Sequence, residues 1–115
     1  MGLLSLFFGA SVSVEEAADQ FGRREAFALD VRERREWKAG RIVGSKHIPS
    51  GSLAVRTAEL DANRRYIAVC RSGARSSRAA SQLRKEGFDV VNLKGGMLAW
   101  RRAKLPLEPR GGRVI

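Results

Sequence analysis

The chain has 115 residues, the length of a single domain, and its formal net charge of +10 is high for that length. With one cysteine and one histidine, it cannot form an internal disulfide and lacks the spaced clusters of metal ligands, so we expect neither a metal nor another cofactor. A lone free thiol is typical of a reducing compartment, which predicts a cytoplasmic protein.

The charge is uneven along the chain. Residues 1–40 carry a net charge of −1, whereas residues 41–115 carry 16 basic and 5 acidic side chains, a net charge of +11. The positive charge of residues 41–115 attracts anions, which include small anionic substrates, nucleic acid and acidic proteins. Several arginines occur in scattered pairs and form no stripe with aromatic residues, which argues against nucleic acid as the main partner.

Residues 1–12 form an apolar N-terminal segment. Its apolar run, Leu3 to Phe8, is far shorter than the roughly 20 residues that cross a membrane, and it lacks the basic region of a signal peptide. We therefore expect no membrane span, a segment that packs on the domain or on a partner, and a monomer. The domain itself is predicted over residues 13–103, and residues 104–115, with two prolines and two glycines, are predicted to form a C-terminal tail.

The first predicted elements of the domain are a helix and a strand. Ser13 and Glu16 have the spacing of a capping box, in which each side chain bonds the other residue's backbone N–H, and the helix is expected to end near Phe21. The apolar run over residues 27–31 predicts a buried strand. Asp30, near the end of that strand, is expected to cap a neighbouring group or to pair with an arginine.

A charged helix and an extended segment follow. Residues 33–39 predict a short helix, with Trp37 as its buried anchor and Gly40 as its stop. Residues 43–48 are expected to be extended, and residues 52–63 show a weak helical pattern.

The centre of the chain is a strand, a tight loop and a helix. Tyr66 to Val69 form a short apolar run that predicts a buried strand. The helix that follows is expected to be capped by Ser76 or Ser77 and to reach Glu86. Between the strand and the helix lies a loop from Cys70 to Arg75, which holds the single cysteine.

Another strand is predicted over residues 89–93, and a last helix follows the turn at Gly95 and Gly96. Strands that alternate with helices predict an α/β domain with a mostly parallel sheet. The cysteine loop then lies at the carboxyl edge of a strand, which is where open α/β sheets bind their ligands.

The loop from Cys70 to Arg75 has the features of an anion site. Its backbone N–H groups and the helix N-terminus can point inward, and Gly73 and Ala74 keep bulky side chains away. Arg71 and Arg75 add two cations, and basic neighbours lower the pKa of a thiol. We therefore interpret Cys70 as a reactive thiolate and not as an inert buried cysteine.

The loop resembles the active-site loop of rhodanese-like sulfurtransferases, and other motifs agree with that family in order and spacing over residues 12–103. In chain order, these motifs are Leu29-Asp30-Val31-Arg32, Glu36-Trp37 with Gly40, His47-Ile48-Pro49, Gly87-Phe88-Asp89-Val90 and Leu93-Lys94-Gly95-Gly96-Met97-Leu98-Ala99-Trp100. The resemblance implies a rhodanese-like three-layer α/β domain, with a central, mostly parallel sheet flanked by helices. The family more often has proline where Val43 stands here, a departure that concerns a turn and not the chemistry.

The resemblance also implies an activity and a role for each site residue. The activity is that of a thiosulfate sulfurtransferase, which moves sulfane sulfur from thiosulfate or a persulfide donor to cyanide or a thiol. Cys70 would be the catalytic residue and would carry the sulfur as a persulfide. The donor anion would be bound by the rest of the loop, namely Arg71, Ser72, Gly73, Ala74, Arg75 and Ser76. Three residues are implied to support the structure: Asp30, Arg32 and His47.

Other functions stay open beside this one. Phosphatases of the same fold place five residues between their cysteine and arginine, whereas four separate Cys70 from Arg75, and Ser76 stands where that arginine would fall. The shorter loop favours sulfur over phosphate. The domain is alternatively a sulfur-relay partner that passes its persulfide to an acceptor protein, or a regulatory binding module with little thiosulfate:cyanide activity.

Overall fold

A computed structural model of the chain describes residues 11–115. The strands are β1 (Ser11–Val12), β2 (Phe27–Asp30), β3 (Arg41–Ile42), β4 (Lys46–His47), β5 (Arg65–Val69), β6 (Asp89–Leu93) and β7 (Leu107–Glu108). The α-helices are α1 (Val14–Gly22), α2 (Arg34–Ala39), α3 (Ala74–Lys85) and α4 (Gly96–Arg102). The apolar segment predicted over residues 1–12 lies outside the described residues, except for Ser11 and Val12.

The main sheet has five strands in the order β1-β6-β5-β2-β4, and every pair in it is parallel. The strand that leads into the cysteine loop, β5, is at the centre of the sheet. Its neighbours are β2, with Asp30 opposite Val69, and β6, with Asn92 opposite Ala68. The predicted α/β class with a central parallel sheet is therefore confirmed.

Two hydrophobic cores cover the two faces of this sheet. Alternate residues of β5 point to opposite faces, as the pleat of a strand requires, so Ile67 and Val69 join one core while Tyr66 and Ala68 join the other. The first core contains residues of α1 and α4, and the second contains residues of α3. Helices on both faces of the sheet give the three layers that the resemblance implied.

The start of α1 follows the sequence prediction closely. The Ser13 hydroxyl accepts a hydrogen bond from the backbone N–H of Glu16, and the Glu16 carboxylate accepts one from the N–H of Ser13. This capping box satisfies two backbone donors that the first turn of a helix otherwise leaves without partners. In contrast, residues 52–63 form no α-helix, and 3₁₀ turns over Ser50–Val55 and Thr57–Glu59 replace the predicted weak helix.

The prediction for the interior of α2 is wrong in one respect. Its buried side chain is Glu36, with 7% of the residue exposed, whereas Trp37 is only half-buried. Trp37 stacks on His47, with ring centroids 4.9 Å apart, and its indole N–H donates to the Ser45 hydroxyl. The inward position of this short helix is occupied by the carboxylate of Glu36, which has an ionic partner in Arg75, and not by the indole of Trp37.

Residues 104–115, predicted as a C-terminal tail, pack on the domain. Strand β7 pairs antiparallel with β3, and Val114 joins the core with 7% of its surface exposed. The N–H of Arg113 donates to the carbonyl of Ala39, and a Cβ on Gly40 would clash with the Arg113 carbonyl oxygen. The glycine that ends α2 therefore also lets the last segment pass close to the backbone.

Candidate active site

Cys70 directly follows β5 and lies at the carboxyl edge of the central strand. The cysteine is buried, with 1% of the residue exposed, and α3 begins only four residues later at Ala74. The strand and the helix thus hold a short loop between two rigid elements. This is the edge at which parallel α/β sheets place ligands, as the sequence predicted.

Gly73 gives the loop its shape. Its φ of +108° lies in the left-handed region, which glycine adopts without a steric penalty, and it occupies the N-cap position of α3. This conformation points its N–H at the cysteine, with the Gly73 nitrogen 3.0 Å from Cys70 Sγ. The loop therefore brings a backbone donor to the sulfur.

Helix α4 donates hydrogen bonds to two carbonyl groups of the same loop. The N–H groups of Met97 and Leu98 donate to the carbonyls of Cys70 and Arg71, at 2.8 and 3.0 Å. A Cβ on Gly96 would lie 2.5 Å from the Cys70 carbonyl oxygen, so the close approach of helix and loop requires glycine. Because the loop carbonyls are bonded on this side, its N–H groups are free to face the sulfur.

Ser76 is not the helix cap that the sequence predicted. The cap position belongs to Gly73, and Ser76 lies within α3, fully buried. Its hydroxyl oxygen is 3.2 Å from Cys70 Sγ and 2.5 Å from Oδ1 of Asn92. Helix α3 begins at Ala74, three residues earlier than it would if Ser76 were the cap. Ser76 therefore lies inside the helix, where its hydroxyl is a hydrogen-bond donor beside the sulfur.

These contacts set the ionisation of the cysteine. Burial raises the pKa of the Cys70 thiol, but hydrogen bonds from the Ser76 hydroxyl and from the N–H groups of Ser76, Gly73 and Ser72 outweigh it. The net result is a pKa below the ordinary value of a thiol. Hydrogen bonds to a charged form favour that form, so the loop stabilises the thiolate, which is the nucleophilic form of cysteine.

The two loop arginines have different partners. Arg75 forms a bidentate ion pair with Glu36, with both nitrogen–oxygen distances at 2.9 Å. The hydrogen bonds from Arg75 lower the pKa of Glu36 to about 2, although burial opposes them. Arg71 is exposed, and its Nε donates to the backbone carbonyl of Ile115. The guanidinium of Arg71 therefore lies at the surface, whereas that of Arg75 braces the loop against α2.

The residues predicted as structural support lie next to the loop without contacting the sulfur by a hydrogen bond. Asp30 and Arg32 form a fully buried ion pair at 2.8 Å, and Arg32 also donates to the carbonyl of Gly40. Nε2 of His47 lies 2.8 Å from the carbonyl oxygen of Arg32. A carbonyl only accepts, so Nε2 carries a proton and is engaged in that bond.

Sequence reasoning missed two members of the site, Glu36 and Asn92. Glu36 belongs to the Glu36-Trp37 motif, but nothing in the sequence of a charged helix indicates which carboxylate is buried. Asn92 lies in a strand whose neighbours are apolar, and a polar residue at such a position is the signal that could have been used. Within residues 11–115, no group of three or more His, Cys, Asp or Glu side chains could hold a metal ion, and no described helix is long and apolar enough to cross a membrane.

The chain is similar to known proteins over most of its length. A family model described as the rhodanese-like domain matches residues 13–103. The chain is 36% identical over 103 residues to the thiosulfate sulfurtransferase GlpE of Pseudomonas putida, a match that covers 87% of this chain and 91% of that protein. It is 35% identical over 89 residues to a sulfurtransferase of Allochromatium vinosum, covering 76% and 83% of the two chains.

A solved structure is also similar. The fold matches that of a rhodanese-related protein from Thermoplasma volcanium with a TM-score of 0.81 and 28% sequence identity. The match covers 84% of this chain and 95% of the other.

Proposed function

Because the chain belongs to the rhodanese-like domain family, we propose that it is a sulfurtransferase in which Cys70 carries sulfane sulfur as a persulfide. The observation that carries this proposal is the set of donors around one sulfur atom. The Gly73 nitrogen lies 3.0 Å and the Ser76 hydroxyl 3.2 Å from Cys70 Sγ, and the N–H groups of Ser72 and Ser76 add to them. Such a ring stabilises negative charge on sulfur as an oxyanion hole does on oxygen.

In the first half-reaction, the thiolate of Cys70 attacks the outer sulfur of thiosulfate. A new sulfur–sulfur bond forms, the sulfur–sulfur bond of thiosulfate breaks, and sulfite leaves with the electron pair of the broken bond. The product is a Cys70 persulfide, whose negative charge now lies on the outer sulfur. A persulfide donor would react in the same way, with a thiolate as its leaving group.

In the second half-reaction, a thiophilic acceptor removes the outer sulfur. Cyanide attacks that sulfur, thiocyanate forms, and the electron pair of the broken bond returns to Cys70 as a thiolate. A physiological thiol acceptor would leave as a persulfide in the same step. Because the enzyme alternates between two covalent states, the kinetics should be ping-pong, and initial-rate patterns that require a ternary complex would contradict this scheme.

The geometry supports sulfur over phosphate. A phosphatase of this fold would need an arginine at the position of Ser76, and Ser76 is instead buried against Cys70 Sγ. Arg75, the loop arginine that precedes Ser76 in the chain, is paired with Glu36. The donors therefore converge on a single atom at the cysteine and not on the oxygens of a larger tetrahedral group.

A sulfur relay to a protein acceptor is a second candidate, favoured by charge. Residues 41–115 carry a net charge of +11, and Arg71 at the edge of the loop is exposed, so an acidic acceptor surface could dock beside the cysteine. In that case the persulfide would form, but its removal by cyanide would be slow. A cytoplasmic, monomeric protein with no nucleic-acid partner stays a prediction under either function.

The test is to incubate the purified protein with thiosulfate and to measure its intact mass. We expect the mass of one added sulfur atom, reversed by cyanide and absent in Cys70→Ser. If thiosulfate adds nothing, a small-molecule persulfide is the second donor. A protein that neither donor modifies, with Cys70 still reduced, would refute the proposal and favour a binding module.

A further inference from the structure

The hydroxyl of Ser76 has more acceptors around it than it has protons. It is fully buried, and it lies 3.2 Å from Cys70 Sγ, 3.3 Å from the carbonyl oxygen of Gly73 and 2.5 Å from Oδ1 of Asn92. A serine hydroxyl donates one hydrogen bond at a time. The cysteine and the asparagine therefore compete for a single proton.

The orientation of the Asn92 amide is fixed by its second contact. Nδ2 lies 3.2 Å from the Gly73 carbonyl oxygen, to which it donates, and this leaves Oδ1 on the side of Ser76. The reversed amide would place two acceptors, Oδ1 and the Gly73 carbonyl, against each other. Asn92 is thus an acceptor toward Ser76.

The sheet, and not the loop, positions this amide. Asn92 is in β6 and pairs with Ala68 of the central strand, two residues before Cys70. A side chain placed by a paired strand is held more precisely than one placed by a loop. The distance between Asn92 and the sulfur site is therefore set by strand register.

We propose that Asn92 is a positioning residue whose Oδ1 accepts the hydrogen bond of the Ser76 hydroxyl when the cysteine sulfur is uncharged and loses that bond when the thiolate forms. A charged sulfur is the stronger acceptor, so the hydroxyl turns to Sγ in the thiolate. When a persulfide forms, the charge moves to the outer sulfur, Sγ becomes a weak acceptor, and the hydroxyl turns to Asn92. The buried hydroxyl is bonded in every state, which avoids the cost of an unsatisfied polar group.

This inference rests on the proposed function only in taking Cys70 as the nucleophile, because its test reads the ionisation of Cys70 alone. Among residues 11–115, the charged side chains around this site include Arg75 from α3, whose charge interacts with that of Cys70, and its ion-pair partner Glu36 from α2. Lys94, just after β6, lines the same cavity as Asn92 and Gly73. The hydrogen bonds to Glu36 raise the pKa of Arg75 despite burial, and the charges of Glu36 and Cys70 raise it further. Neither residue is hydrogen-bonded to Asn92, so variants at Asn92 leave this pair in place.

The experiment is an ultraviolet titration of the thiolate in the full chain, with the spectrum of Cys70→Ser at each pH subtracted as the background. In Asn92→Ala the neutral thiol state loses the closest acceptor of the Ser76 hydroxyl and keeps the longer contact to the Gly73 carbonyl, while the thiolate keeps its donor. The pKa of Cys70 should therefore fall, by about half to one pH unit. In Asn92→Asp the carboxylate accepts the hydrogen bond of the Ser76 hydroxyl more strongly than the amide does. The pKa of Cys70 should therefore rise by at least as much. If Asn92 only supported the fold, the two variants would not be expected to change the pKa of Cys70 in opposite directions.

Ser76→Ala provides the matched background. Without the hydroxyl, the pKa of Cys70 should rise by about one pH unit, and Asn92→Ala should then change it no further. Any effect of Asn92→Asp that persists in this background measures charge alone. If Asn92→Ala does not fold by circular dichroism, Asn92→Leu, which keeps the size of the side chain, takes its place.

Two outcomes overturn the inference: a pKa that is unchanged or raised in a folded Asn92→Ala protein, or the same fall in the Ser76→Ala background. The outcome is separable from that of the proposed function. If the pKa values follow the expected order but no donor adds sulfur, sulfur transfer fails and the role of Asn92 stands. If sulfur is added but the order is absent, only the role of Asn92 fails.

Discussion

Arg75 and Glu36 lie 39 positions apart in the chain and meet in a bidentate ion pair, with both nitrogen–oxygen distances at 2.9 Å. The pair joins the first turn of α3, which frames the cysteine loop, to the buried face of α2. Glu36 also accepts a hydrogen bond from the backbone N–H of Glu33 and so closes the first turn of its own helix. One carboxylate therefore fixes both a helix start and the edge of the candidate active site.

Replacing Glu36 by glutamine should destabilise the domain. The change keeps the shape of the side chain but leaves the Arg75 guanidinium without a charged partner, which costs about 1–3 kcal/mol of unfolding free energy. Urea unfolding of the two proteins at neutral pH measures the difference. Glu15→Gln, at an exposed position in α1, is the matched control. Equal losses in the two variants would show that the ion pair adds nothing.

The contribution of the same ion pair should depend on acid pH. The pKa of Glu36 falls from 4.5 to about 2 on folding, so its stabilising effect is complete above pH 4.5 and is lost as the pH falls toward 2. The stability difference between the wild-type protein and Glu36→Gln should shrink over this range. Using the difference removes the parallel effect of Glu59, whose pKa is also lowered to about 2. A difference that is constant from pH 5 to pH 2 would contradict the assignment.

Gly96→Ala should damage the loop through a steric clash and through backbone strain, because the φ of Gly96 is +59°, in the left-handed region. The added methyl would lie 2.5 Å from the Cys70 carbonyl oxygen, so helix and loop must separate, at a cost of about 1–3 kcal/mol in stability. Because the separation also disturbs the donors around the sulfur, we expect slower persulfide formation in the intact-mass assay. Gly44→Ala is the control, since Gly44 also has a positive φ, +76°, but its methyl would meet nothing within 4 Å. Normal persulfide formation in a stable Gly96→Ala protein would be evidence against this packing role.

The loop arginines should act on donor binding. For the exposed Arg71, we expect Arg71→Ala to raise the KM for thiosulfate about tenfold, the value of one favourable contact of about 1.4 kcal/mol, while the persulfide still forms on Cys70. For Arg75, Arg75→Ala should weaken donor binding and also lower stability, since it releases Glu36. Steady-state kinetics at constant ionic strength measure the effect of each variant on donor binding.

Arg102→Ala, at an exposed position in the last turn of α4, controls for the loss of one positive charge. Unchanged thiosulfate turnover in Arg75→Ala would mean that Arg75 does not bind the donor. An equal rise of KM in Arg102→Ala would attribute the effect of Arg71 to net charge and not to its position.

Much of the fold could be predicted because its signals are local. The capping box of Ser13 and Glu16 and the apolar run that becomes β5 depend on residues a few positions apart, and both appear as expected. The predictions that were wrong concern the roles of single residues and the weak helical pattern over residues 52–63, where the structure has 3₁₀ turns. The sequence favours Ser76 or Ser77 as the cap of α3, a position that Gly73 occupies, and Trp37 as the inward residue of α2, where Glu36 is buried. Which of two neighbours points inward depends on what lies opposite it.

The sequence by itself determined the family, the α/β architecture and the cysteine loop, because those depend on residue types at fixed short spacings. Only the tertiary structure decided which groups meet the loop: Glu36 against Arg75, Asn92 against Ser76, and the last residues against α2 and Arg71. These pairs are separated by 16 to 74 positions. Their contacts follow from strand order and helix packing, which depend on interactions throughout the hydrophobic core.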